Sequence, residues 1–216
     1  MYRLLDTFCK AGGATKGYQR AGFYVVGVDI EPQPHYCGDE FIQADALDFI
    51  ARHGAEFDAI HASPPCQRYS ICTPTAYKDN HPDLIGVTRY ALLTTGKPYV
   101  IENVENARSL LVNPLKLCGS MFGLNLWRHR YFELRGLWLM SPATCNHLEL
   151  PVLISGTTRR SIEKGGRFEF TAQQCRDAAD LQWMTRTEMD DAIPPAYAEF
   201  IGAHLMRVIE AQRGPA

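Results

Sequence analysis

Along the first hundred residues the apolar positions follow two alternating rhythms. Short apolar runs of strand length alternate with stretches whose apolar residues recur at helical spacing, the pattern of a parallel α/β sheet. Leu4 to Phe8 reads as a strand, and Gly12-Gly13 then opens a helix through Ala21. Tyr24 to Val28 predicts a second strand ending at Asp29, and Phe41 to Ala44 a third ending at Asp45. A helix follows over Ala46 to His53, and Phe57 to Ala62 predicts a fourth strand that runs into Ser63-Pro64-Pro65-Cys66. After a loop, a helix over Leu84 to Leu93 leads to a fifth strand from Tyr99 to Ile101, ending at Glu102. Asp29, Asp45, Cys66 and Glu102 thus fall at or just past the carboxyl ends of successive strands. In open parallel sheets that edge is where ligands bind.

The periodicity is lost from Gly136 to about Gly166, where Pro142, Pro151, Gly156, Gly165 and Gly166 interrupt it. This predicts a small insertion, residues 136–166, within a main domain made of 1–135 and 167–216. After Pro194-Pro195, the residues Tyr197, Phe200, Ile201, Leu205, Val208 and Ile209 recur at helical spacing and predict a closing amphipathic helix.

A chain of 216 residues can bury a real core, and 46% apolar with 21% charged residues is ordinary for a globular protein. Met1 to Lys10 carries Asp6 and no uninterrupted apolar stretch, so it does not read as a signal peptide. No apolar run approaches the length of a membrane span. Seven scattered cysteines suggest reduced thiols in a cytoplasm, not a disulfide framework. The formal net charge of −2 gives no global sign of a nucleic-acid partner, but its distribution does. Arg128, Arg130, Arg135, Arg159, Arg160, Lys164, Arg167 and Arg176 outnumber Glu133, Glu149, Glu163 and Glu169 in the same segment. A basic stretch on a near-neutral chain suits a local phosphate-binding face, although alone it equally describes a solvated surface.

Two segments carry candidate chemistry. Asp6-Thr7-Phe8-Cys9-Lys10-Ala11-Gly12-Gly13 lies between the first strand and the first helix, where glycines permit positive φ and close backbone approach to a cofactor. Asp29, at the end of the second strand, is placed to accept hydrogen bonds from ribose hydroxyls, an arrangement common to many nucleoside cofactors. Ser63 to Ser70 reads Ser-Pro-Pro-Cys-Gln-Arg-Tyr-Ser. A cysteine held by rigid prolines at a strand end suits an exposed nucleophile, because the thiolate is strongly nucleophilic. An isolated Pro-Pro-Cys is just as well an ordinary loop cysteine, as Cys72 nearby would be.

The company that Cys66 keeps decides between these readings. Ile101-Glu102-Asn103-Val104 follows at the next strand end, and Arg128-His129-Arg130 lies beyond. Here the sequence resembles the cytosine carbon-5 methyltransferase family. Asp6 to Gly13 is similar to the family's Asp-x-Phe-x-Gly-x-Gly-Gly motif except at Lys10, and Pro65 to Ser70 to its Pro-Cys-Gln-x-x-Ser motif. Glu102 to Val104 resembles its Glu-Asn-Val, Arg128 and Arg130 its paired arginines, and Ala192-Ile193-Pro194-Pro195 its last motif. The matches run in family order over nearly the whole chain. The sequence departs from the pattern at Lys10, at Leu126 and at Asp191. The stretch between Arg130 and Ala192, where the family keeps its target-recognition domain, is short.

The resemblance implies a doubly wound, Rossmann-like α/β fold that uses S-adenosylmethionine. It implies that Cys66 adds to carbon 6 of a flipped-out cytosine and that Glu102 holds ring nitrogen 3 and the exocyclic amine. Arg128 and Arg130 would orient the base and its backbone. Phe8, Gly12, Gly13 and Pro65 would line the cofactor pocket, with Asp29 on the ribose and Asp45 on the adenine amine. Lys10, in place of a family glycine, would face solvent, pair with the cofactor's carboxylate, or admit a cofactor whose transferred group is anionic. The implied partner is double-stranded DNA, with residues 136–166 as a reduced recognition region and no protein partner assigned. The compact build resembles solitary phage or prophage enzymes more than those paired with a restriction nuclease. An RNA cytosine methyltransferase and a catalytically inactive DNA-binding relative are the rival readings. Cys145-Asn146-His147, with Cys118 or Cys175, matches no standard structural zinc spacing, so no metal is expected. Trp127, Trp138 and Trp183 are expected to pack in the core or the insertion.

Overall fold

The computed structural model describes residues 1–65, 83–148, 150–154 and 170–213. Cys66 and the rest of its loop, the segment holding Arg159, Arg160, Lys164 and Arg167, and Glu149 lie outside the described residues. Strands β1 (Arg3–Thr7), β2 (Tyr24–Asp29), β3 (Glu40–Gln43), β4 (Ala59–Ala62), β5 (Tyr99–Asn103), β6 (Leu115–Leu117) and β7 (Arg130–Arg135) form one sheet in the order β3-β2-β1-β4-β5-β7-β6. The first five are parallel, as the sequence predicts, each within two residues or so of its expected bounds. β7 then runs antiparallel to both β5 and β6.

Helices cover both faces. Leu4, Val25, Ala59, Val100 and Phe132 point to the side of α1 (Gly13–Arg20) and the closing helix α6 (Pro195–Arg213), where Tyr18, Tyr197, Ile201 and Leu205 meet them. Leu5, Val26, Ile60 and Ile101 point the other way, against Ile50 of α2 (Ala46–His53) and Ile85 and Leu92 of α3 (Ile85–Thr94). Successive strand residues are therefore buried on opposite faces, which is why these strands read as continuous apolar runs. A third cluster joins Ala11, Leu126 and Ile154 to α4 (Ala172–Ala179) and α5 (Arg186–Asp191). Capping boxes start both of these helices, Thr171 with Gln174 and Thr185 with Glu188.

Neither β6 nor β7 is predicted by the sequence pattern. β7 carries Arg130, Glu133 and Arg135 among its six residues, so it shows no apolar run. Its buried Glu133 is accommodated by tertiary partners instead. Arg89 Nε and Nη2 donate to the two carboxylate oxygens at 2.8 and 2.7 Å, Val112 N donates at 2.9 Å and the Tyr99 hydroxyl at 3.2 Å. Four donors satisfy a charge that would otherwise be costly to bury.

Within the expected insertion, residues 137–148 and 150–154 contain neither helix nor strand. Two of the tryptophans pack: Trp127 stacks on His147, and Trp183 donates to the Ala11 carbonyl at 2.7 Å. Trp138 does not: it is 79% exposed beside the turn at Gly136, with no element of the described residues covering its ring.

Candidate active site

The carboxyl edge of the sheet gathers Glu102, Arg130, Asp29 and the glycine-rich turn, while Cys66 lies outside the described residues. Because β7 is antiparallel, its first residue, Arg130, arrives at the edge where β5 ends with Glu102 and Asn103. Arg130 Nε stands 2.8 Å from Glu102 Oε1, an ion pair whose alignment is too poor for a hydrogen bond. Glu102 is 6% exposed, and burial raises its pKa above the usual carboxylate range, against the opposing pull of Arg130, Ser63 and Arg128. Asp191 adds to the upward push. A carboxyl in this setting can hold a proton and give it to a ring nitrogen.

Arg128 bonds to the C-terminal elements while its charge still acts on Glu102. Its Nη2 donates to the Asp190 carbonyl, its own carbonyl accepts from the Tyr197 hydroxyl at 2.8 Å, and its Nε has no hydrogen-bond partner among the described residues. Burial and the neighbouring Arg130 charge lower its pKa.

β4 ends in Ser63-Pro64-Pro65, the last described residues before Cys66. Asn103 Nδ2 donates to the Pro64 carbonyl at 3.0 Å, so the buried Asn103 ties the Pro64-Pro65 turn that precedes Cys66 to the strand that carries Glu102. Asn103 lies within the Glu102–Val104 motif, but this role rests on a tertiary contact that motif spacing does not reveal.

His61, on β4, escaped the sequence reading as an apolar-flanked core residue. It is fully buried, with Nδ1 3.0 Å from the Tyr18 hydroxyl and Nε2 2.9 Å from Ser63 Oγ. Burial lowers its pKa to about 3, so it stays neutral. The Tyr18 hydroxyl then donates to Nδ1 and Nε2–H donates to Ser63, whose hydroxyl lies beside Glu102. This chain of polar contacts fixes the floor of the site.

The glycine-rich turn follows β1 in a left-handed conformation, with φ of 59° at Phe8, 47° at Lys10 and 89° at Gly12. Lys10 thus adopts the backbone region that favours the glycine it replaces. Gly13 has no room for a side chain, since a Cβ would collide with the Ile193 carbonyl of the last motif. Asp29, only 3% exposed, locks the turn to β2: Oδ2 accepts from Lys10 N at 3.0 Å and Oδ1 from Glu31 N at 3.1 Å. Each oxygen keeps further acceptor capacity for a ligand. Lys10 Nζ pairs with Glu31 Oε2 at 3.1 Å. Its pKa is raised: burial pulls it down, but the Glu31 hydrogen bond and the charges of Asp29, Glu31 and Asp191 outweigh that.

Next to Asp29, Ile30 is 66% exposed, an apolar surface at the ligand edge that the sequence reading overlooked. Asp45 uses Oδ1 to cap α2, accepting from Leu47 N and Asp48 N at 2.9 and 3.0 Å. The N-terminus of α1 has neither a side-chain cap nor an acid in its first turn, and although the Thr15 amide bonds Asp6, the end of the helix still favours an anionic group. These features suit a nucleoside cofactor with a carboxylate at its far end. By contrast, the surface pocket bounded by Lys97, Tyr99 and Arg135 lies at the amino end of β5, away from Glu102.

Asp6 lies under the turn, 1% exposed, and accepts from Thr15 Oγ1. Burial raises its pKa to about 7, with Asp29 and Glu102 adding to the shift. A carboxyl so raised favours the fold below its unfolded pKa of about 4, and that contribution is lost as pH rises to about 7. His61, its partner across the sheet, has the opposite sense, since its folded pKa is depressed. The two offset each other between about pH 4 and pH 6.5. Asp6→Asn should therefore expose the His61 slope. Relative to wild type, the variant should gain up to about 1.4 kcal/mol per pH unit across that window. Urea unfolding of both proteins across the window measures this, and parallel curves would refute the protonated Asp6.

The structure does not bring Cys175 toward the Cys145-Asn146-His147 stretch: it is buried on α4, beside Arg186. Cys118 does approach that stretch, and so does His129, which the sequence reading had not considered for it.

No family model matches the chain. Its sequence is similar to that of a type II methyltransferase, M1.HphI of Haemophilus parahaemolyticus, with 31% identity over 118 residues. The match covers 46% of this chain and spans only 32% of that relative's length. Its fold is similar to that of the Dnmt2 methyltransferase of S. pombe, with a TM-score of 0.60 over 96% of this chain and 99% of that one, at 13% identity. The methyltransferase EhMeth of Entamoeba histolytica gives a TM-score of 0.57 over 100% and 99%, again at 13% identity. The mixed seven-stranded sheet with helices on both faces is thus a Rossmann-like fold, shared with these two methyltransferases.

Proposed function

We propose that the chain is an S-adenosylmethionine-dependent cytosine carbon-5 methyltransferase acting on double-stranded DNA, with Cys66 as its covalent nucleophile. The observation that carries the reading is the convergence of Glu102, Arg130 and the Asn103-anchored Pro64-Pro65 turn at one sheet edge. That edge also presents the glycine turn, Asp29 and Ile30. The sequence similarity to a type II methyltransferase favours DNA over RNA as substrate.

Carbon 5 of cytosine is a weak nucleophile and must be activated. The Cys66 thiolate adds to carbon 6 while Glu102 gives a proton to nitrogen 3, which leaves an electron-rich enamine. Arg130 holds Glu102 and the base carbonyl in register, and Arg128 secures the backbone between α5 and β7. When bound, S-adenosylmethionine supplies an electrophilic methyl group on a sulfonium. Afterwards water takes the carbon-5 proton and the Cys66 thiolate is eliminated, while the nitrogen-3 proton returns to Glu102, restoring aromaticity and the enzyme. Asp29, Ile30, Asp45 and the α1 amides hold the cofactor. Lys10 already has Glu31 as its partner, which favours the ordinary methyl donor over one carrying an anionic group. The basic residues of the 155–169 segment supply the phosphate contacts, and a solitary phage or prophage enzyme fits the short recognition region. Among the described residues no helix is long and apolar enough to cross a membrane.

Incubation with methyl-labelled S-adenosylmethionine and either duplex DNA or tRNA, followed by mass spectrometry of the nucleosides, tests the reading. The expected product is 5-methyldeoxycytidine from DNA. Label confined to tRNA would transfer the activity to RNA, and a heavier nucleoside would show an altered cofactor. No product from either would favour the inactive relative.

A further inference from the structure

We propose that Cys118, His129, Cys145 and His147 form a structural zinc site beside the paired arginines. Their ligand atoms all lie within 4.8 Å of one another. Cys118 Sγ is 3.3 Å from His147 Nε2, Cys145 Sγ is 3.8 Å from His129 Nε2, and the two Nε2 atoms are 3.4 Å apart. Tetrahedral zinc, with its usual bond lengths to sulfur and nitrogen, sets edges of about 3.6 Å between sulfur and nitrogen and about 3.3 Å between nitrogens. The observed edges bracket the first and match the second. Two thiols and two imidazoles are also the donor set that zinc favours, and four protein ligands make a closed, structural site.

The fold explains why the ligand spacing is unfamiliar. Leu117 and Arg130 pair across the β6–β7 ladder, so the residues just outside them, Cys118 and His129, are neighbours despite the loop between them. Cys145 and His147 then come from the irregular segment that follows β7. Surrounding groups fix the ligands. Ser120 Oγ lies 3.2 Å from Cys118 Sγ and accepts from Asn146 N at 3.0 Å, Trp127 stacks on His147, and Glu105 Oε2 stands 3.9 Å from His129 Nδ1. A carboxylate on the far ring nitrogen is the usual support of a zinc-bound histidine. The metal holds the segment after β7 against the hairpin. It also fixes His129, and with it the backbone that carries Arg128 and Arg130.

The test uses the full chain, reduced and purified without a histidine tag, then dialysed against metal-free buffer. Elemental analysis should find an equimolar amount of zinc. After zinc removal, cobalt(II) should give intense tetrahedral visible bands with thiolate-to-metal charge transfer. His147 is exposed, so His147→Ala leaves the core intact and should reduce retained zinc to traces, as should Cys145→Ser. Cys175→Ser should retain it in full. Folded wild type with no retained zinc and no tetrahedral cobalt spectrum would overturn the site. So would loss of metal in Cys175→Ser alone. None of these readouts depends on methyl transfer.

Discussion

Replacing Glu102 with glutamine should slow methyl transfer about 10²–10⁴-fold, the usual contribution of a positioned general acid. Glu102 is buried, its carboxyl is biased toward the protonated form, and Arg130 stands 2.8 Å away. Glutamine preserves shape and can still donate a hydrogen bond, but it cannot deliver a proton to nitrogen 3. The loss should therefore fall on kcat, with binding of S-adenosylmethionine unchanged, because the residues proposed to hold the cofactor lie at or beyond the ends of β1, β2, β3 and β4 and not on β5 with Glu102. Single-turnover rates with excess enzyme read this directly. A rate within about tenfold of wild type would remove proton transfer by Glu102 from the mechanism.

The parallel half of the fold was legible because β1, β2, β4 and β5 are buried on both faces, which leaves apolar runs in the sequence. β7 was not, since Glu133 is satisfied by Arg89, Tyr99 and Val112, and none of these partners is local. The Thr171 and Thr185 capping boxes were local signals for α4 and α5, and their S/T-x-x-E/Q spacing was available to be read.

The chemistry of the site divides the same way. Glu102, Asp29 and the glycine turn sit at strand ends and carry motif spacing, so sequence alone located them. Asn103 and His61 act through contacts to Pro64, Tyr18 and Ser63 that only the packed sheet creates. Ile30 had a signal, an apolar residue beside a strand-end acid, but its exposure needed coordinates. The Cys118, His129, Cys145 and His147 cluster was hidden for a further reason. Its ligands become neighbours only through the β6–β7 register, and that hairpin was itself unread.

The largest single effect should come from Cys66→Ala, which should abolish methyl transfer. Cys66 follows Pro65 at the end of β4, and no other residue of the reading forms a bond to the base. Duplex DNA containing 5-fluorocytosine tests this without turnover. Fluorine cannot leave as a cation, so after methylation the enzyme stays attached through the carbon 6–sulfur bond. Wild type incubated with this DNA and S-adenosylmethionine should form a complex that survives denaturation, and peptide mapping should place the link at Cys66. Cys66→Ala should form none, while Cys72→Ala should behave as wild type. Attachment that persists in Cys66→Ala but disappears in Cys72→Ala would contradict the assignment.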